Sequence, residues 1–227
     1  MISLDPKKIK MVAFDIDGTV FSSEEIISEV YKESILNFSK TFGKQIQMPP
    51  HEEIMLQIGK PVKTIFKNLL PNLPENERDI ISDSVLKFLC ARIENGEGHI
   101  YPNAAKTVRE LKKQNYVITA ASNGRKAYVE TILKKIGILN FFDDIAILNY
   151  EDIKTKGDIL IHYKKKYDLA GDQILMVGDR ASDRDAALNA GTPFAFCSFG
   201  HAVEGEIPDY SAELKTLYDI VSLLSDG

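Results

Sequence analysis

Five short runs along the chain carry hydrophobic residues at both odd and even positions. Strands that are covered on both faces have this pattern, because every side chain of such a strand is buried. Helical spacing separates the later runs, and Gly137 and Gly191 stand where two of these helices are expected to end. Strands alternating with helices predict an α/β fold with a parallel sheet. The five runs are residues 10–16, 116–121, 145–148, 173–177 and 193–198.

One stretch breaks this alternation. From residue 23 to residue 97 the apolar residues repeat with helical spacing, and prolines divide the stretch into two long and two short helices. The glycines of residues 96–102 predict a flexible connector back to the sheet. We therefore expect two domains: a parallel-sheet core made of residues 1–21 and 99–227, and an α-helical cap made of residues 22–98.

Composition narrows the range of partners. The 227 residues include 27% charged and 44% hydrophobic residues, with a formal net charge of −5, so no basic surface for nucleic acid is expected. No apolar stretch approaches the ~20 residues of a membrane span. The two cysteines, Cys90 and Cys197, fit a reducing compartment. The sequence thus predicts a cytoplasmic protein, and it is equally compatible with a monomer and a weak homodimer.

Polar residues directly follow three of the predicted strands. Asp15 and Asp17 follow the first strand, Ser122 ends the second, and Asp179 follows the fourth. Lys156 lies between the third and fourth strands. Because ligands of open parallel sheets bind beyond the carboxyl ends of the strands, these side chains are expected to converge on one site.

The acids among these residues indicate a metal. Strand alternation places Asp15 and Asp17 on one side, opposite the apolar side chains of Phe14 and Ile16. Like charges at the end of a buried strand are unfavourable unless a cation or a proton compensates them. A third acid, Asp179, ends another strand in the same way. Three carboxylates at one edge favour a hard divalent cation, and Mg²⁺ is the first choice.

Four motifs occur in a fixed order. The first is Asp-x-Asp-Gly-Thr at residues 15–19, the second is Ser122 at a strand end, the third is Lys156, and the fourth is Gly-Asp-x-x-x-Asp at residues 178–183. With these motifs the whole chain resembles the haloacid dehalogenase-like superfamily of aspartate-nucleophile phosphohydrolases. The resemblance implies a Rossmann-like core. The helical insert is similar to the type-1 cap of that family, and the chain is most similar to its phosphoglycolate phosphatase-like group.

The resemblance also implies roles for the residues. Asp15 would attack phosphorus of a small phosphorylated metabolite and form an aspartyl-phosphate, while Asp17 would protonate the leaving oxygen and later activate water. Mg²⁺ would be held by Asp15, by the backbone carbonyl of Asp17, by Asp179, and by Asp183 directly or through water. The phosphate would be bound by residues at the same sheet edge: Gly18, Thr19, Ser122, Asn123 and Lys156.

Alternatives stay open at this point. Lys154 is close enough in sequence to rival Lys156 as the lysine that contacts phosphate. Lys60, in a glycine-containing loop of the cap, is either exposed or binds an anionic tail of the substrate. Asp17 favours phosphoryl transfer, since family members that cleave carbon–halogen bonds lack an acid there. A phosphomutase of the β-phosphoglucomutase type remains an enzymatic alternative, and a non-enzymatic phosphoacceptor or binding protein remains another.

Three smaller expectations concern single residues. Ser182 is a candidate N-cap for the helix that ends at Gly191. Arg180 is expected to face solvent or to pair with a neighbouring aspartate. The four histidines have no metal-ligand spacing and are expected at the surface: His51, His99, His162 and His201.

Overall fold

The computed structural model describes residues 1–225, which form an α/β structure. The strands are β1 (Met11–Phe14), β2 (Phe21–Ser22), β3 (His99–Ile100), β4 (Val117–Ser122), β5 (Asp144–Ile147), β6 (Ile174–Gly178), β7 (Phe194–Cys197) and β8 (Ala212–Leu214). The helices are α1 (Glu24–Phe42), α2 (His51–Met55), α3 (Val62–Leu69), α4 (Glu75–Glu94), α5 (Ala104–Lys113), α6 (Lys126–Ile136), α7 (Lys156–Lys166), α8 (Ala181–Ala190) and α9 (Asp219–Ser225). Within residues 1–225, no helix combines the length and apolar character needed to cross a membrane.

Six parallel strands form the central sheet in the order β5-β4-β1-β6-β7-β8. Phe14 of β1 pairs with Ala120 on one side and with Val177 on the other, so the carboxyl ends of β1, β4 and β6 lie side by side. Met11 and Ala13 pack into the apolar cluster on one face of the sheet, and Phe14 packs into the cluster on the other. The predicted α/β fold with a parallel sheet is confirmed, and burial on both faces explains the uninterrupted apolar runs.

A small antiparallel pair joins the two chain segments that lead into and out of the cap. Phe21 of β2 pairs with Ile100 of β3, and Ser22 pairs with His99. Gly98 has a φ of +85°, and a Cβ at this position would collide with the Phe21 ring. The expectation that residues 96–102 form a flexible connector is therefore wrong for the part that forms β3. Strands of two residues are too short to leave a periodic signal in the sequence.

The cap contains the two long and two short helices that the sequence predicts. A proline precedes α2, α3 and α4 at the N-cap position, respectively Pro50, Pro61 and Pro74, where its missing N–H does not interrupt helical hydrogen bonding. Leu36 of α1 and Ile80 of α4 do not join the buried faces of these helices, since they are 49% and 42% exposed. Helices α1 and α4 pack together through buried residues of the main apolar cluster: Ile27, Val30, Ile35, Ile81, Val85 and Leu89.

The ends of two core helices follow the expected glycine signals, whereas one beginning does not. Gly137 and Gly191 adopt left-handed backbone conformations directly after α6 and α8, as predicted. The N-cap position of α8 is Arg180, so the prediction that Ser182 caps this helix is wrong. The Asp183 carboxylate accepts the Arg180 N–H at 2.9 Å and caps the helix in place of the serine.

Candidate active site

Three aspartates meet at the carboxyl end of the sheet. Asp15 follows β1, Asp179 follows β6, and Asp183 lies in the first turn of α8. One carboxylate oxygen of each lies within 4.8 Å of the others, and all three side chains are buried. Burial, reinforced by the charge of Asp183, raises the pKa of Asp15 to about 7. Burial and both neighbouring carboxylates raise the pKa of Asp179 well above its usual range.

A buried lysine lies between two of these acids. The Lys156 ammonium is 2.9 Å from Asp15 Oδ1 and 2.5 Å from Asp183 Oδ1. Burial opposes its charge, but the two carboxylates outweigh burial, so the pKa of Lys156 is raised. The Thr155 hydroxyl accepts the Asp158 N–H at the start of α7 and fixes the first turn that carries the lysine. Lys154, the alternative that the sequence left open, is exposed.

Asp17 has different surroundings from the three clustered acids. Its carboxylate accepts hydrogen bonds from the Ser23 N–H at 3.0 Å, from the Ser23 hydroxyl at 2.6 Å and from the Tyr128 hydroxyl at 2.8 Å. Burial, followed by the charge of Asp17, raises the pKa of Tyr128 well above its usual value, so the phenol stays a hydrogen-bond donor. Sequence analysis missed both partners. Tyr128 lies 111 residues away on α6, and no local pattern links it to Asp17.

The chemistry of the donor set fits a hard divalent cation. Oxygens that share one Mg²⁺ at ~2.1 Å lie at most about 4.2 Å apart, so the observed 4.8 Å limit needs only small side-chain rotations. The three carboxylates, when ionised, exceed the single ammonium of Lys156 by two negative charges. Asp183 Oδ2 already accepts the N–H groups of Asp179 and Arg180, which limits its freedom to act as a direct ligand. The Asp17 backbone carbonyl as a ligand stays a prediction.

Gly18 and Thr19 lie against Asp179. Gly18 has a φ of +90°, and a Cβ there would overlap the Asp179 carboxylate, so only glycine fits this close approach. The fully buried Thr19 hydroxyl donates to Asp179 Oδ1 at 3.3 Å, and the His201 N–H donates to Asp179 Oδ2 at 2.7 Å. These contacts hold the orientation of Asp179. That Gly18 and Thr19 also bind phosphate stays a prediction.

The end of β4 connects the sheet to the cap. The Ser122 hydroxyl accepts the Gly124 N–H at 3.0 Å, and the Asn123 side-chain amide donates to the Gly59 carbonyl at 2.7 Å. The Ser182 hydroxyl donates to the same carbonyl at 3.0 Å. Thus the Gly59 carbonyl joins the cap to the loop after β4 and to the first turn of α8. The buried Asn123 Oδ1 has no hydrogen-bond partner within residues 1–225.

A cavity of about 100 Å³ lies between the cap and the core. Asp15, Asp17, Ser122 and Asn123 line its core side. Lys60 also lines it, and its ammonium donates to the Gln57 side-chain carbonyl at 3.0 Å. The Gly59–Lys60 loop therefore lines the same cavity as Asp15 and Asp17, whereas contact between Lys60 and a substrate tail stays a prediction. The cap side of the cavity is mainly apolar: Ile27, Tyr31, Ile65, Phe66, Val85 and Leu89.

Two residues at the rim differ from expectation. Arg180 is buried, and within residues 1–225 its side chain pairs with a glutamate and not with an aspartate, since its Nε donates to Glu206 at 2.8 Å. A second guanidinium nitrogen of Arg180 donates to the Met55 carbonyl of the cap at 3.3 Å. His201, expected at the surface, is half-buried, and its Nε2 lies 2.9 Å from the Ser22 hydroxyl. The Arg180 and His201 side chains therefore hold together the chain segments that surround the acids.

Comparison with known protein families identifies the family of this chain. A family model described as haloacid dehalogenase-like hydrolase matches residues 9–191, more than half of the chain. The chain belongs to the haloacid dehalogenase-like hydrolase family. The resemblance inferred from the four motifs is thereby confirmed, and all four motifs lie inside the matched residues.

Relatives within the haloacid dehalogenase-like hydrolases match over nearly full length. Phosphoglycolate phosphatase of Vibrio cholerae is 24% identical over 226 residues, covering 95% of this chain and 98% of that protein. Pyrophosphatase PpaX of Bacillus mycoides is 28% identical over 229 residues, covering 96% and 98%. A crystal structure described as a predicted phosphoglycolate phosphatase from Haemophilus somnus gives a TM-score of 0.82 at 21% identity, covering 95% and 98%. This last likeness shows that the fold is shared.

Proposed function

We propose that this hydrolase is a Mg²⁺-dependent phosphatase that removes phosphate from a small metabolite through an aspartyl-phosphate on Asp15. The observation that supports the proposal is the arrangement of two kinds of carboxylate around one small cavity. Asp15 is buried beside Lys156 and two further acids, while Asp17 is held apart by neutral hydroxyl donors. The two carboxylates are therefore equipped for different tasks.

Asp15 is the proposed nucleophile. A carboxylate is a weak nucleophile, so positioning and neutralisation of charge supply most of the rate. Lys156 contacts Asp15 Oδ1 and partly offsets the effect of burial, which raises the pKa of Asp15 to about 7. Bound Mg²⁺ would be held by Asp15 and Asp179, with Asp183 acting directly or through water, and would reduce repulsion between the phosphate and the acids. Lys156 also supplies a fixed positive charge for phosphate oxygens.

Asp17 is the proposed general acid and base. Protonated, it delivers its proton to the leaving oxygen as the bond to phosphorus breaks. The resulting Asp17 carboxylate then takes a proton from the water that attacks the aspartyl-phosphate. Hydrogen bonds from Ser23 and Tyr128 hold the orientation of Asp17, which lines the cavity.

Closure of the cap favours small substrates. The Gly59 carbonyl is bonded to Asn123 and Ser182, so the cap is held against the core beside the acids and would limit the access of bulk water during the reaction. Ser122 and Asn123 line the cavity and would bind phosphate oxygens, as would Gly18 and Thr19 beside Asp179. The names of the relatives, a phosphoglycolate phosphatase and a pyrophosphatase, agree with a small phosphorylated substrate. A cytoplasmic protein without nucleic-acid or membrane partners stays the prediction, as does a monomer or weak homodimer.

Release of phosphate from para-nitrophenyl phosphate tests the proposal. We expect turnover with Mg²⁺, strong loss in EDTA, and abolition in Asp15→Asn with the folded circular-dichroism spectrum retained. Phosphate release without a bisphosphorylated activator separates a hydrolase from a phosphomutase, in which the aspartyl-phosphate must outlive product exchange. A folded wild-type protein that binds phosphate or Mg²⁺ but turns over none of a panel of phosphomonoesters would instead be the non-enzymatic alternative.

A further inference from the structure

The cap side of the cavity is built for apolar contact. Tyr31 and Phe66 stack with ring centroids 5.5 Å apart and an interplanar angle of 9°. Ile27, Val85 and Leu89 complete this wall, and all five side chains are at most 8% exposed. A leaving group that extends from the phosphate into this space would therefore contact hydrocarbon and aromatic surface.

Arg125 and Lys60, the cationic side chains found along the cavity, already have hydrogen-bond partners. Arg125 is bonded to Asp83 at 2.6 Å. The Lys60 ammonium is bound to the neutral side-chain carbonyl of Gln57 at 3.0 Å. The hydroxyls of Tyr31 and Ser82 add neutral polar groups to the cap side. A carboxylate placed against the apolar wall would lose its hydration without gaining a cation from that wall, and pairing with Lys60 would require the ammonium to leave Gln57.

We propose that the substrate is a phosphomonoester of a small, uncharged and mainly apolar alcohol, an inference that rests on the proposed phosphatase function. The proposed substrate differs from phosphoglycolate, the compound in the name of the phosphoglycolate phosphatase relatives, because phosphoglycolate carries a carboxylate. Each methylene that enters the apolar wall raises kcat/KM about fourfold, since burying a CH₂ group contributes ~0.8 kcal/mol.

Two isosteric esters provide the decisive comparison. Isobutyl phosphate and phosphoglycolate have the same number and branching of heavy atoms in the leaving group, but only phosphoglycolate adds a charge. With the wild-type protein and saturating Mg²⁺, we expect kcat/KM for isobutyl phosphate to exceed that for phosphoglycolate at least tenfold. In the series methyl, ethyl, propyl and butyl phosphate, kcat/KM should rise with each methylene until the cavity is filled.

A matched pair of variants assigns the preference to this wall. Val85→Thr places a hydroxyl in the apolar wall of the cavity without changing the side-chain shape, whereas Val108→Thr makes the same change in the core on α5. We expect Val85→Thr to lower the ratio of kcat/KM for isobutyl phosphate over methyl phosphate about fivefold to tenfold. Val108→Thr should lower the melting temperature and leave this ratio unchanged. Because the readout is a ratio, partial unfolding of either variant cancels.

The outcomes distinguish the two proposals. Hydrolysis of para-nitrophenyl phosphate together with a preference for phosphoglycolate overturns the apolar substrate class and leaves the phosphatase function standing. A ratio that is insensitive to Val85→Thr also overturns it. Failure to hydrolyse any ester, with Asp15→Asn indistinguishable from the wild type, removes the phosphatase function and this inference with it.

Discussion

The ammonium of Lys156 lies 2.9 Å from the carboxylate of Asp15, and both residues are only 3% exposed. In such an environment the carboxyl group favours its neutral form, because burial raises the pKa of Asp15 to about 7. The lysine opposes this effect and keeps a fraction of Asp15 ionised at neutral pH. A protonated Asp15 is not a nucleophile, so the ion pair links the packing of the core directly to the proposed chemistry.

Replacement of this lysine should remove most of the activity. In Lys156→Met the buried acids lose their cation, the pKa of Asp15 rises further, and the phosphate loses a fixed positive charge. We expect kcat to fall about 10²–10³-fold. Phosphate release from para-nitrophenyl phosphate measures the effect, and Lys154→Met is the matched control, expected to stay within about twofold of the wild type. If Lys154→Met lost the activity and Lys156→Met kept it, the assignment of the lysine would be reversed.

Removal of the Asp15 charge should stabilise the metal-free protein at alkaline pH. The pKa of Asp15 is near 7 in the folded protein and near 4 in the unfolded chain, so ionised Asp15 lowers the free energy of unfolding above pH 7. Wild-type stability recovers as the pH falls from 7 towards 4, because the folded state then binds the proton more tightly. In EDTA, Asp15→Asn should melt above the wild type at pH 8.

The stability advantage of Asp15→Asn over the wild type should shrink as the pH falls. From pH 8 to pH 5 the free energy of unfolding of the wild type should rise by about 2–3 kcal/mol relative to that of Asp15→Asn, which corresponds to roughly 5–10 °C in melting temperature. Thermal melts in EDTA at both pH values provide the measurement. An advantage of the variant that grew towards pH 5 would contradict the raised pKa of Asp15.

Magnesium should stabilise the wild type more than the variant. A ligand that binds only the folded state at one hundred times its Kd adds about 2.7 kcal/mol to the free energy of unfolding. The three buried carboxylates provide the proposed ligands, and Asp15→Asn weakens that set by one charge. The rise in melting temperature with Mg²⁺ at pH 8 should therefore be clearly smaller in Asp15→Asn. Equal shifts in both proteins would place the ion elsewhere.

Substitution of Asp17 or of its partner Tyr128 should slow the hydrolysis of esters with poor leaving groups more than that of esters with good ones. We expect Asp17→Asn to lower kcat about 10²–10⁴-fold with alkyl phosphates and far less with para-nitrophenyl phosphate, whose leaving oxygen needs no proton. Tyr128→Phe removes one of the hydrogen bonds that position Asp17, so it should change the same ratio about tenfold. The ratio of kcat for the two ester classes and its pH profile are the measurements.

A second tyrosine provides the control for this positioning role. The Tyr116 hydroxyl donates to the Leu224 carbonyl at 3.3 Å, away from the acids. Tyr116→Phe should reduce stability without changing the ratio between the ester classes. Equal losses for alkyl and para-nitrophenyl phosphates in Asp17→Asn would argue that Asp17 is not the general acid.

The sequence predicts the position of those site residues that directly follow a buried strand. Asp15 and Asp179 follow apolar runs without an intervening loop, so the parallel sheet alone brings them together. Lys156 is harder to place because it opens a helix after a long loop, and Lys154, two residues earlier, is a second candidate. The structure separates the two lysines by burial, a property that neighbouring residues in sequence do not reveal.

Contacts between distant segments could not be predicted in this way. Tyr128 reaches Asp17 only because α6 packs beside the cap and the sheet, and the pairing of Arg180 with Glu206 depends on how one loop folds over another. Both contacts join side chains that are separated by many residues and lack any periodic relation. Hydrophobic periodicity fixes which face of an element is buried, but it carries no information on which polar groups meet across elements.

The hydrogen bonds to the Gly59 carbonyl should control closure of the cap. Ser182 donates one of these bonds across the boundary between core and cap, so Ser182→Ala weakens the closed form by about 1 kcal/mol and should raise KM roughly fivefold. Ser198→Ala is the control, since that hydroxyl donates to the Leu214 carbonyl within the core. Steady-state kinetics with an alkyl phosphate measure both. An unchanged KM in Ser182→Ala, with the same loss of stability as the control, would show that the bond stabilises the fold and does not govern access to the cavity.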